Sequence, residues 1–219
     1  MPKQHLKRLA APRTWPIKRK GIKYSVRPRP GAHPLEFGLP LGIALRDMLG
    51  KAQTTTEVKN LLNFTECKVD GKRRKDHRFI IGLMDVLQVG ADNYRMIINT
   101  KSKLQLTEEK NPGQKPCAIK GKCIVKGKIQ LNLHDGSNML TDDKKYKVGD
   151  TLLLGLPKKE IKGHLPLKEG AFVYLTGGGH VGETGIIEHL SGNVIVVKTK
   201  KATFETHKRY AFIIMSEEL

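Results

Sequence analysis

No run of 18 apolar residues occurs anywhere in the 219-residue chain, so no membrane-spanning helix is expected. Cysteine is scarce: Cys67, Cys117 and Cys123 are three, scattered, and never in a CxxC pair. That argues against a disulfide framework and a zinc ribbon, and fits a reducing compartment. The start, Met1 to Arg8, has charge but no apolar stretch after it, so it does not read as a signal peptide. Pro12, Pro16, Pro28 and Pro30 break the amphipathic helix that a mitochondrial transit peptide needs. The tripeptide Asn63-Phe64-Thr65 matches a glycosylation acceptor but lacks any secretory context. Aromatic residues make up only 5% of the chain, too few for one large core but enough for several small ones. There is no GK[ST] after a glycine loop, no HExxH and no GxSxG elbow, and no paired catalytic carboxylates stand out. Neither an enzyme nor a cofactor is expected.

Acidic residues are the other shortage. The chain holds 40 Lys and Arg against 21 Asp and Glu, a formal charge of +19 with pI ≈ 9.9. Such a chain is attracted to polyanions, nucleic acid first and an anionic membrane surface second. The excess is graded. Residues 1–40 carry ten cations and one acid, a net of +9. Residues 41–105 and 106–165 each carry twelve and seven, a net of +5, and residues 166–219 carry six of each. Seven of the eleven prolines also fall in 1–40. Proline fixes φ and removes a donor, so long helices and central strands are disfavoured there. The segment reads as an extended basic arm without a core of its own, ordering on contact with RNA. Lys3, Lys7, Arg8, Arg13, Lys18, Arg19, Lys20, Lys23, Arg27 and Arg29 would meet phosphates. Trp15 and Tyr24, interleaved with them, would stack on bases or sugars.

From residue 41 the pattern becomes helical. Leu41, Ile43, Leu45, Met48 and Leu49 suggest a short helix ending near Gly50. Thr54 with Glu57 has the form of a capping box, although Thr55 can also serve, and Val58, Leu61 and Leu62 follow at helical spacing. Met48, Leu49 and Leu62 are expected in the core. Asp70-Gly71 predicts a tight hairpin, followed at once by Lys72, Arg73, Arg74 and Lys75. Four adjacent cations repel unless a polyanion lies nearby. Arg46, Lys51, Lys59 and Lys68 on and beside the helix pair would extend that phosphate-binding face. The run from Phe79 to Val89 is β-rich, and Arg95–Ile98 follows a turn at Asp92-Asn93. Later strands are predicted at Cys117–Val125, Lys128–Leu133, Thr151–Leu154, Phe172–Thr176, Thr184–His189, Asn193–Lys198 and Ala211–Ile214. Short strands between Gly, Asn and Asp punctuation suggest small antiparallel barrels.

Two motifs invite enzymatic readings and fail on context. Gly177-Gly178-Gly179-His180-Val181-Gly182 formally matches GxGxxG, but a strand-like Ile186-Ile187 follows where a helix would be needed. Gly177, Gly178, Gly179 and Gly182 instead supply positive-φ positions and close backbone approach. His134-Asp135 sits between a strand and Gly136, a turn rather than a metal-dependent phosphohydrolase site.

The ordered pieces resemble a known family. His5-Leu6-Lys7-Arg8-Leu9-Ala10-Ala11-Pro12 with Trp15, then Leu39-Pro40-Leu41, Val58-Lys59 and Val69-Asp70-Gly71-Lys72, carry the likeness. Gly82-Leu83-Met84-Asp85-Val86 and His134-Asp135-Gly136 continue it. Gly170-Ala171-Phe172-Val173 through Thr176-Gly177-Gly178 and Gly182-Glu183-Thr184-Gly185 look like a KOW motif. Together they resemble the archaeal and eukaryotic small-subunit ribosomal proteins of the S-four-e family, over almost the whole chain.

The resemblance implies an α+β, mostly β protein in four parts. These are a basic proline-rich arm (1–40), an S-four-type or alpha-L RNA-binding domain (41–105), a central β domain (106–165), and an SH3-like KOW domain with a C-terminal strand (166–219). The implied partners are small-subunit ribosomal RNA and neighbouring ribosomal proteins, with no membrane and no obligate homo-oligomer. A free RNA-binding regulator or RNA-modification accessory protein is the alternative role, and an unrecognised nuclease a more remote one.

Overall fold

A computed structural model of the chain describes residues 5–199 and 202–215. Among these, strands dominate and helical segments are few and short. The chain forms two compact units, Met1–Ile98 with Ser102–Gly113, and Asn99–Lys101 with Gln114–Leu219.

The first unit corrects the picture of a coreless arm. Strands β1 (Leu6–Lys7) and β2 (Tyr24–Ser25) pair antiparallel. Trp15 lies between them in sequence and is fully buried, not offered to RNA. Its indole N–H donates to the carbonyls of Leu35 (3.0 Å) and Gly38 (2.9 Å). An indole brings the largest apolar surface of any side chain, and two acceptors for its single donor remove the penalty of burying it. Proline content predicted the lack of long elements here, but not this anchor.

Strand β3 (Gly38–Pro40) leads into α1 (Leu41–Ile43), which widens into a π turn over Ala44–Met48. Gly50, at φ 62°, follows the end of that turn. Leu41, Ile43 and Leu45 are buried, whereas Met48 and Leu49 are only half-buried. Helix α2 (Thr55–Phe64) starts at an N-cap of Thr54, whose Oγ1 accepts from the Glu57 N–H at 3.2 Å. The Glu57 carboxylate accepts in turn from the Gln53 N–H. Val58 and Leu62 are the buried face of this helix.

Strands β4 (Cys67–Val69) and β5 (Lys72–Arg73) form the predicted hairpin. Asp70 and Gly71, at φ 51° and 75°, supply the two positive dihedrals of a tight primed turn. The β-rich run from 79 is not continuous. Strand β6 (Ile80–Gly82) pairs with β3, and β7 (Val86–Val89) joins β4. Between them Met84 adopts φ 66°, and the buried Asp85 carboxylate accepts from the Gly82 N–H and meets the His33 ring at 3.0 Å. Gly82 is obligatory: a Cβ there would lie 2.1 Å from His33 Cγ. The following turn is at Gly90, φ 64°, and Asp92 already begins β8 (Asp92–Ile98). With β9 (Leu104–Glu108) the sheet order is β5-β4-β7-β8-β9.

The second unit contains two five-stranded antiparallel sheets. One comprises β10 (Gln114–Val125), β11 (Lys128–Leu133), β12 (Asn138–Thr141), β13 (Thr151–Gly155) and β14 (Glu160–Leu165), in the order β12-β11-β10-β13-β14. Cys117, Ile119, Leu131, Tyr146, Leu152 and Leu154 form its core. The other comprises β15 (Phe172–Leu175), β16 (Thr184–Ser191), β17 (Val194–Lys198), β18 (Thr203–His207) and β19 (Ala211–Ile213), in the order β18-β17-β16-β15-β19. Val173, Leu175, Ile187, Ile195, Val197 and Ile213 pack beneath it.

Candidate nucleic-acid interface

The structure sorts the cations into those tied up internally and those that remain available. In the arm, Arg8 Nη1 donates to the Lys18 carbonyl at 2.9 Å. Arg19 donates to the carbonyls of Arg8 (3.0 Å), Ala11 (2.5 Å) and Pro12 (2.5 Å). Both guanidiniums are half-buried staples that hold the segment in shape. Arg29 pairs with Asp76 at 2.9 Å, and Arg27 is half-buried with its carbonyl taking the Arg78 side chain. Lys23 is exposed, with Nζ 5.5 Å above the Tyr24 ring. Lys7, Arg13, Lys18 and Lys20 are exposed, and no side-chain partner is found for them among the described residues. Lys3 lies outside the described residues.

The helix pair and hairpin divide the same way. Arg46 forks onto Asp47 through two hydrogen bonds of 2.9 Å. Lys51 pairs with Asp92, and that bond holds the ammonium above its ordinary pKa and the carboxyl below it. Lys68 pairs with Glu66 at 2.9 Å. Arg73 Nη2 donates to the Asn63 carbonyl at 3.0 Å, and the Arg74 guanidinium lies 4.2 Å from the Phe79 ring centre. Lys59, Lys72 and Lys75 are exposed, and no side-chain hydrogen bond or ion pair engages them among the described residues. The hairpin therefore presents two free ammonium groups flanking two arginines that brace the fold.

The glycine loop joins β15 to β16 with no helix after it. A Cβ on Gly177 would sit 2.3 Å from the Tyr210 ring, and one on Gly182 (φ 78°) would sit 2.5 Å from the Asn99 carbonyl carbon. Gly178 also has positive φ, whereas Gly179 faces open space. Beside the loop, His180 stacks on Phe204 at 3.6 Å, and Arg209 lies over Tyr210. Phe204 is the one apolar residue of β18, and Tyr210 lies in the short 3-10 turn Lys208–Tyr210 after it, so neither ring stood out in the sequence.

His134-Asp135 is a structural turn. The Asp135 carboxylate is buried, 3.2 Å from Lys115 Nζ and 2.8 Å from Lys159 Nζ, and accepts from Ser137. Burial alone would raise its pKa; the Lys115 charge and the Lys159 and Ser137 hydrogen bonds outweigh that and hold it well below the usual range.

A family model described as Ribosomal family S4e matches residues 91–161, and an RS4NT (NUC023) domain matches residues 1–36. The small ribosomal subunit protein eS4 of Methanocaldococcus jannaschii is 40% identical over 234 residues, covering 99% of this chain and 96% of that protein. The chain belongs to the ribosomal S4e family. The eS4 protein of Methanocella arvoryzae is 41% identical, covering 96% of this chain and 93% of its own. The crystal structure of the 30S ribosomal protein S4e from Thermoplasma acidophilum superimposes with a TM-score of 0.72 at 32% identity, covering 83% of this chain and 96% of that one.

Proposed function

We propose that this chain is a structural component of the small ribosomal subunit, binding its ribosomal RNA and supporting subunit assembly and translation. Membership of the S4e family supports this, and one observation carries the RNA contact: unpartnered, exposed Lys and Arg side chains occur on both the proline-rich segment and the α2–hairpin face. Lysine and arginine at such positions displace condensed counterions from phosphates, so affinity falls steeply with salt. The finer division is an arm over 1–40, an alpha-L domain over 41–105, a central β domain over 106–165 and a KOW domain over 166–219. The helix pair with its hairpin supports the second, and the strand, glycine loop and strand over β15–β16 support the fourth. Its place is the cytoplasmic ribosome, beside other ribosomal proteins, with no catalytic role.

Co-sedimentation of the full chain with purified small subunits in moderate salt tests the assignment. The wild-type chain should pellet with them; a chain that stays in the supernatant is not a subunit component. Binding to small-subunit rRNA transcript should weaken in K18E/K20E and in K72E/K75E, each substituted lysine flattening the salt slope by about one. An unchanged slope in both would show that these ammonium groups are solvated and touch no phosphate. Deleting residues 1–36 is a poorer test, because it removes Trp15 from the core.

A further inference from the structure

Only two of the Phe, Tyr and Trp side chains are exposed among the described residues: Phe64, at 87%, and Tyr24, at 45%. Both belong to the first unit, where the free cations of the arm and hairpin also lie. A single exposed apolar side chain is ordinary by itself, so its surroundings decide what it signifies.

Phe64 is the last residue of α2, whose buried side chains are Val58 and Leu62. The ring makes no aromatic or cation–π contact among the described residues. A helix C-terminus normally presents unpaired carbonyls and a partial negative charge, which repels phosphate. Here that end is partly neutralised. The Thr65 N–H donates to the Leu61 carbonyl at 2.7 Å, and Arg73 Nη2 donates to the Asn63 carbonyl at 3.0 Å. The guanidinium thus covers the carbonyl next to Phe64 and brings positive charge to the C-terminal end of α2, one residue from the ring. Lys72 precedes Arg73 on the same strand, exposed and unpaired.

From this placement we infer that Phe64 is a stacking platform for an unpaired nucleobase of the ribosomal RNA, with the Arg73 nitrogens not spent on the Asn63 carbonyl meeting the adjoining phosphate. The inference rests on the rRNA-binding role proposed above. A flat base with its attached phosphate matches an exposed ring beside cations in one ligand. A protein neighbour would need an apolar recess and carboxylates placed together to do the same. Stacking uses the face of the base, so the platform reads an unpaired nucleotide without selecting its identity.

The test compares F64A, F64L, F64W and K72E/K75E in the full chain, binding in vitro transcribed small-subunit rRNA over a range of KCl. F64A and F64L should weaken binding about tenfold with the salt slope unchanged, while F64W stays within about twofold of wild type. K72E/K75E should lose both affinity and slope. If F64A or F64L binds as wild type while K72E/K75E is weakened, the platform is overturned and the RNA face stands. If K72E/K75E also matches wild type, the RNA face is misplaced and the platform falls with it.

Discussion

Trp15 shows how a residue's partners decide its role. Its basic, proline-rich neighbourhood suggested base stacking, yet its ring is sealed and its N–H shared by two carbonyls. Replacement by alanine should destabilise the first unit by about 3–5 kcal/mol, the usual range for emptying a buried aromatic site. Urea unfolding followed by fluorescence of a reporter dye placed in that unit would measure it. A loss well under 1 kcal/mol would mean the site collapses freely. In the second unit, Asp135 plays the complementary part for charge. D135N leaves the buried Lys115 without its counter-ion and should cost about 3–5 kcal/mol, read as a lower urea midpoint at pH 7. The sign of the pH dependence follows from the depressed carboxyl. Its contribution is full above the unfolded-state pKa of about 4 and fades as pH falls below that towards the folded value. An acid titration of stability should therefore be flatter in D135N than in wild type.

At the scale of elements, local chemistry was legible and long-range partnership was not. Thr54 with Glu57, and Asp70 with Gly71, act within four residues of chain, and both formed as their residue types dictate. All seven strands expected from residue 117 onward are present, with ends moved by no more than three residues. Strands β12, β14 and β18 went unforeseen because edge strands bury little and so carry little apolar alternation. The cations show the same limit. Nothing near Arg29 or Lys51 in sequence reveals Asp76 or Asp92, so a list of basic residues cannot separate braces from free charges. This governs which hairpin variant is informative. R73E/R74E would uncap α2 and strip the Phe79 ring of its guanidinium, mixing folding with binding. K72E/K75E should leave the thermal midpoint within about 1 °C of wild type, since exposed unpaired lysines contribute little to stability. A drop of several degrees would place those ammonium groups in the fold after all.

For the whole molecule, net charge named only the class of partner. Ordered motifs and near full-length identity to archaeal relatives name the family. Folding adds the distinction that composition lacks: among the described residues, Arg8 and Arg19 are spent on the segment's own carbonyls. Those Arg8 and Arg19 staples have a thermodynamic corollary. A segment already braced loses little chain entropy on docking, and it buries no new core of its own. Calorimetry of the full chain with rRNA should show a heat-capacity change no larger than the contact surface accounts for. The signature of coupled folding, an extra 1,000–3,000 Å² or so of buried surface, should be missing. Replacing both arginines by alanine should bring it back.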